Sequence, residues 1–178
     1  GTFMKKALKG ELPLLQVAQN LQNELLMMMP EELEDAPLAQ EKYLVKNAKK
    51  IAVLVAGEAE QRYGAKLDEE QEILVNIANI ANQLYAMESA VIRTQKAIER
   101  EGAEKAKQKI LYTEIFCQEA FAEIEKEAKD TLLASVEGDA GRMMLSALRK
   151  LTRNNPYNLI PKKREASVKL IEAEKFVV

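Results

Sequence analysis

A chain of 178 residues with a net charge of −2 is long enough for one domain, and its charge does not suit nucleic acid as a partner. The chain has no histidine, which removes the most common general base and metal ligand and so argues against nucleophilic triads and ferritin-like metal sites. Cys117 is the only cysteine, so no internal disulfide can form, and we expect a reducing, cytoplasmic setting.

The composition predicts an all-α fold. Seven glycines and five prolines leave room for few turns, and good helix formers dominate the chain. We find no β-branched runs with period-two alternation and no apolar run of transmembrane length. Long helices in one domain are therefore expected.

The first third of the chain predicts three helices. Residues 2–9 form a short one that ends at Gly10, and Pro13 opens a second that stops before Pro30. After an acidic loop, a third helix spans residues 38–63 and closes at Gly64. Small residues on this third helix predict close approach of a neighbour; they are Ala52, Ala56, Gly57 and Ala59.

The stretch over residues 68–102 has the clearest pattern. Its apolar residues recur in steps of three and four, which indicates one long helix over about residues 69–101. A second stripe widens that face; it contains Leu74, Ala78, Ala81, Tyr85 and Ile92. A face this broad is typical of a bundle interior. Asp68 together with Gln71 predicts a capping box at the start of this helix. Gly102 predicts that the helix ends in a left-handed backbone conformation.

Residues 103–137 predict another long helix, which Gly138 ends. Asp139 is expected to cap a shorter helix, residues 152–161 form an irregular link, and a last helix spans residues 162–174. Two long helices joined at a glycine should pair as an antiparallel hairpin. The predicted fold is an antiparallel helical bundle built on two long central helices, with shorter flanking helices.

Two acidic residues on the long helices could be buried acids. Glu88 and Glu114 lie in partly apolar surroundings, and we expect each to have a structural partner, such as Arg93 or a basic residue on a neighbouring helix. Cys117 lies on an apolar stripe and is expected to be a small core residue. No catalytic, cofactor-binding or metal-binding residue is predicted.

The C-terminal part of the chain is basic. From Arg142 onward nine basic and three acidic residues give a balance of +6, which leaves −8 for the rest. The candidate contacts to an anionic partner are Arg149, Lys150, Arg153, Lys162, Lys163 and Arg164. A membrane surface, an acidic partner and a merely solvated face remain open as explanations.

Several ordered segments carry a family resemblance. The run Leu84–Ser89 followed by Arg93 and Thr94 resembles the central helix in the C-terminal region of some bacterial acyl-CoA dehydrogenases, and that region is similar to the C-terminal domain of very-long-chain acyl-CoA dehydrogenases. The match continues over residues 1–15, 109–120 and 142–153, so it covers nearly the whole chain.

The resemblance implies a parent enzyme that uses FAD to oxidise fatty acyl-CoA thioesters in β-oxidation. The family's catalytic glutamate and FAD-contacting loops belong to the dehydrogenase body, so the fragment itself is expected to be inactive. Residues 1–12 would form the junction to that body, and residues 13–178 the helical domain. The implied role is to brace the body or its homo-oligomer. The alternatives are a peripheral membrane- or partner-docking module and a free-standing helical adaptor.

Overall fold

A computed structural model describes residues 14–29 and 31–174. Within these residues the chain forms six α-helices, one 3₁₀ helix and no strand, which confirms the all-α prediction. The helices are α1 (Leu14–Leu26), α2 (Ala39–Tyr63), α3 (Gln71–Glu101), α4 (Lys107–Ser135), α5 (Gly138–Leu151) and α6 (Leu159–Ala173), and the 3₁₀ helix is Gly64–Glu69. The helix predicted over residues 2–9 and the role of Pro13 lie outside the described residues.

The two longest helices, α3 and α4, form the predicted antiparallel hairpin. Gly102 ends α3 with a φ of 85°, a value that glycine adopts readily. Beyond the turn, Lys109 Nζ lies 2.8 Å from Glu101 Oε1, and the buried hydroxyls of Thr94 and Thr113 lie 2.7 Å apart. The two pairs run in opposite directions along the chain, so the helices are antiparallel.

The most deeply buried helix is α2, which the pattern of residues 68–102 did not indicate. It packs against α1, α3, α4 and α5 and buries 14 residues, whereas the longer α3 buries seven. Its fully covered residues include Leu44, Ile51, Leu54 and Val55. The bundle is therefore arranged around α2, with the hairpin of α3 and α4 on one side and α1 on another.

The small residues of α2 permit the close approach that they predict. Gly57 faces Ala18 of α1, and a Cβ atom added to Gly57 would overlap the Cβ atom of Ala18. Because both contacting residues are small, α1 can lie directly against the backbone of α2.

The predicted start of α3 is wrong in detail. Asp68 lies in the 3₁₀ helix, and the N-cap position belongs to Glu70, whose side chain makes no capping hydrogen bond. Gln71 instead donates from Nε2 to the backbone oxygen of Asp68 at 2.7 Å. Leu67 is buried in the core, and its backbone oxygen accepts a hydrogen bond from Glu70 N at 3.2 Å, so the chain is still in a tight turn beyond Asp68.

The predicted boundaries around α5 and α6 also shift. Gly138 does not end α4 but begins α5 with a φ of 62°, and Asp139 lies inside the first turn, where it pairs with Arg142. The link to α6 is shorter than predicted, since Asn158 caps α6 by accepting a hydrogen bond from Ile160 N at 3.2 Å. Pro161 then fits the first turn, where no intrahelical N–H bond is required.

The long helices are too polar to cross a bilayer. Among the residues described here, no helix combines the length and mean hydropathy of a membrane span.

Candidate functional site

Both acidic residues singled out on the hairpin are paired with lysines from neighbouring helices. Glu88 on α3 pairs with Lys49 on α2, and Glu114 Oε2 on α4 lies 2.5 Å from Lys162 Nζ on α6. The prediction of structural partners is confirmed, and the partners are lysines on neighbouring helices rather than Arg93. Each pair joins two helices, so both carboxylates have a structural role.

A third acid, Glu41, is buried more deeply and was missed from the sequence. It lies in the first turn of α2 with 1% of its surface exposed. Burial raises the pKa of its carboxyl group, the nearby charge of Glu114 raises it further, and the interaction with the Tyr157 hydroxyl opposes this. Glu41 occupies the position one turn before Val45 on the apolar stripe of α2, and that spacing is the signal that could have indicated its burial.

Two residues from the C-terminal part of the chain lie next to Glu41 and Glu114. They are Tyr157, in the link before α6, and Lys162, in α6, and together the four residues form one cluster. The phenol of Tyr157 lies beside the Glu41 carboxyl, and its pKa is raised by burial and by the charges of Glu41 and Glu114. Lys162 Nζ lies 4.5 Å from the centroid of the Tyr157 ring while it binds Glu114. The Lys162–Glu114 pair therefore joins α6 to α4, and Tyr157 places the link between α5 and α6 beside α2.

Cys117 belongs to the same region and behaves as a core residue, as predicted. Its side chain is fully covered, and burial together with the charge of Glu41 raises the pKa of its thiol to about 12. A thiol with this pKa remains protonated at neutral pH and is a poor nucleophile.

The cluster suits a structural role better than catalysis or metal binding. Glu41 is closed off from solvent, so a substrate has no direct access to its carboxyl group. Within the described part of the chain, no group of three or more acidic or cysteine side chains is placed to hold a metal ion.

The raised pKa of Glu41 predicts how stability depends on pH. The unfolded chain releases this proton near the ordinary value of 4.5, whereas the folded chain retains it to higher pH. The Glu41 carboxyl group therefore lowers the free energy of unfolding, by an amount that grows as pH rises from the pKa of the unfolded chain to that of the folded chain. We expect Glu41→Gln to unfold at higher urea concentration than the unmodified chain at pH 8, with a smaller difference at pH 4. A Glu125→Gln variant, changed at an exposed site of α4, is the control; a Glu41→Gln difference that stayed constant with pH would contradict this account.

The six predicted basic contacts are not all available to a partner. Lys162 and Lys163 pair with Glu114 and Glu119, and Lys150 Nζ donates to the backbone oxygen of Leu25 at 2.8 Å. The three arginines of the set, Arg149, Arg153 and Arg164, are exposed, and none takes part in an ion pair within the described ranges. Half of the predicted set thus serves to attach α5 and α6 to the rest of the bundle.

Three of the five residues in the second apolar stripe of α3 are exposed, contrary to the prediction that this stripe lies inside the bundle. Tyr85 is 75% exposed and Ile92 47%, and Ala78 is exposed as well. Leu74 and Ala81 of the same stripe are partly buried, and Leu74 packs against the core, so the prediction fails only for the other three residues. We call the surface formed by Ala78, Tyr85 and Ile92 the uncharged face; its first two residues belong to a run from Ile73 to Met87 that contains no charged residue.

A groove between α2 and α3 continues the uncharged face. Val45, Val91 and Ile92 supply its apolar lining, and its volume is about 370 Å³. Charged residues of both signs also line it; they are Lys42, Lys96, Glu88 and Glu99. The Lys49–Glu88 pair joins α2 to α3 beside the groove.

Comparison with known proteins matches the whole chain to one part of longer proteins. The family model for the C-terminal domain of acyl-CoA dehydrogenase matches residues 47–150. A probable acyl-CoA dehydrogenase of Bacillus subtilis is 65% identical over 177 residues, which are 99% of this chain and 30% of that protein. The crystal structure of an acyl-CoA dehydrogenase complexed with FAD from Bacillus anthracis matches with a TM-score of 0.93 and 67% identity, over 100% of this chain and 30% of that one.

Proposed function

Because the chain belongs to the acyl-CoA dehydrogenase C-terminal domain family, we propose that it is a non-catalytic structural domain of a longer, FAD-dependent acyl-CoA dehydrogenase. The family resemblance predicted from the sequence is confirmed. In this proposal residues 13–178 form the domain, residues 1–12 join it to the dehydrogenase body, and the domain braces that body or its dimer. The observation that supports this proposal most directly is that the chain, matched over nearly its whole length, covers only 30% of the length of each of the two related proteins.

We assign the chemistry of the parent enzyme to the body. The acidic residues Glu41, Glu88 and Glu114 are buried or paired, which supports a structural role for each of them. The seven glycines are scattered singly, so this chain offers no Gly-rich loop to cradle the phosphates of a dinucleotide such as FAD. Flavin binding and the oxidation of fatty acyl-CoA in β-oxidation are therefore proposed for residues outside this chain.

Removal of the domain tests the bracing role. The full-length enzyme should be compared with a form that lacks residues 13–178, by thermal unfolding, size-exclusion chromatography and activity. We expect the truncated enzyme to unfold about 5 °C or more below the full-length one and to lose dimer, because packing contacts of the body lose their partner. An enzyme that kept its melting temperature, dimer and activity after truncation would rule out bracing.

A second candidate function is contact with an anionic surface, which would hold a cytoplasmic enzyme peripherally at a membrane. The exposure of Arg149, Arg153 and Arg164 favours it, whereas the internal pairs of Lys162 and Lys163 weaken it. It predicts that the full-length enzyme floats with phosphatidylserine vesicles at low salt and is released at high salt.

The flotation experiment has a matched charge control. Changing the three exposed arginines to alanine should abolish flotation. The same loss of charge at Lys66, Lys105 and Lys129, which are exposed elsewhere, should leave it intact. Equal losses in both triple variants, or no flotation of the unmodified enzyme, would refute a specific surface.

A further inference from the structure

We propose that the uncharged face of α3, together with the groove between α2 and α3, is the surface on which the dehydrogenase body of the same polypeptide packs. This inference rests on the proposed function and specifies the contact through which the domain would act.

The composition of this face differs from that of a solvated helix surface. Charged residues make up 30% of the chain, yet none occurs from Ile73 to Met87, a stretch of about four turns. A helix that faces water normally carries charged side chains on its outer face. Here the outer face carries Ala78 and Tyr85. Ile92 lies two turns beyond Tyr85, past Glu88, whose carboxylate pairs with Lys49. The tyrosine suits a contact, since its ring buries a large apolar area and its hydroxyl can find a polar partner.

The exposed apolar residues of α6 do not form a comparable face. On α6, Ile160, Val168 and Ile171 are exposed, but Lys163 and Arg164 are exposed among them. Charges interspersed with single apolar residues are typical of a surface that remains in water. The face on α6 therefore serves as the comparison for the one on α3.

The groove indicates the chemistry of the surface that fits it. Its lining of Val45, Val91 and Ile92 suits one or two apolar side chains. Two lysines and two glutamates also line the groove, namely Lys42, Lys96, Glu88 and Glu99, so its charges are balanced. The matching surface on the body is expected to be apolar in the middle and to carry charges of both signs at its border.

The length of the related chains identifies the body, rather than a second copy of this domain, as the occupant. A domain with a TM-score of 0.93 to this one covers only 30% of its own chain, so a much larger part of that polypeptide is tethered to it. Tethering raises the effective concentration of the two parts to about the millimolar range.

Photo-crosslinking in the full-length enzyme tests the surface without unfolding the domain. Tyr85 is replaced by p-benzoylphenylalanine, a ring of similar shape, and Val168 on α6 is replaced in the same way as the control. We expect a crosslink from position 85 to a peptide of the dehydrogenase body within the same chain, and little from position 168. A band of doubled mass on a denaturing gel, or no crosslink from position 85, would overturn the inference.

A pair of charge variants measures whether the surface carries the bracing. Tyr85→Asp with Ile92→Asp should lower the melting temperature of the full-length enzyme by most of the shift that removal of the domain causes. Val168→Asp with Ile171→Asp should leave it unchanged. If removal of the domain destabilises the enzyme but the first pair of variants does not, the proposed function stands and this surface is wrong. If removal has no effect while position 85 crosslinks to the body, the surface stands and bracing is wrong.

Discussion

Replacing Leu54 by alanine should lower the free energy of unfolding of the chain by about 2–5 kcal/mol. Leu54 is 0% exposed in the middle of α2, the helix around which the bundle is arranged. The substitution removes three carbon atoms from the core and leaves a cavity that surrounding helices cannot fill without moving. Urea unfolding followed by circular dichroism would measure the loss as a lower midpoint with an unchanged slope.

The control for this variant is the same deletion at an exposed position. Leu133 on α4 is 55% exposed, so Leu133→Ala should change the free energy of unfolding by no more than about 0.5 kcal/mol. The comparison holds the chemistry constant and varies only burial. Equal costs at Leu54 and Leu133 would contradict the central position of α2.

The second large effect is expected at the contact between α1 and α2. Replacing Gly57 by valine should destabilise the chain by about 1–3 kcal/mol, because a larger side chain at this position overlaps Ala18. The cost should appear although valine is a better helix former than glycine. Hydrogen exchange should show the amides of α1 losing protection first, while those of α3 and α4 remain protected.

A second-site change distinguishes overlap from a general disturbance of α2. Removing the methyl group of Ala18, as Ala18→Gly, opens space for the added side chain. The double variant should therefore be more stable than the sum of the two single effects predicts. Purely additive effects would show that Gly57 does not touch α1 in the way described.

The order and approximate extent of the helices could be predicted because each helix has a local pattern of apolar residues and end signals in the sequence. The apolar steps of three and four from Ile73 onward indicate α3, and Gly64 and Gly102 mark helix ends correctly. The capping roles of Asp68 and Asp139 could not be predicted equally well. A cap depends on where the backbone leaves the preceding turn, and the 3₁₀ helix before α3 carries that point past Asp68 to Glu70.

The contacts within the candidate site were harder to predict for a different reason. The sequence could predict that Glu88 and Glu114 each have a basic partner, because a charged group in apolar surroundings needs one. The structure shows that both partners are lysines. The meeting of Glu41 with Tyr157 joins residues at opposite ends of the chain, and no local pattern encodes it. The exposure of Tyr85 was mispredicted because periodicity identifies an apolar face without identifying which polypeptide covers it.

The single cysteine, Cys117, can be used to measure how often the helices of the bundle separate. Cys117 is fully covered, so a maleimide or Ellman reagent can modify it only when α4 separates from its neighbours. The rate of this modification under native conditions measures how often the bundle opens, without any change to the sequence. A cysteine introduced on the surface will react first by a wide margin, so fluorophores can be attached at one chosen position while Cys117 is left in place.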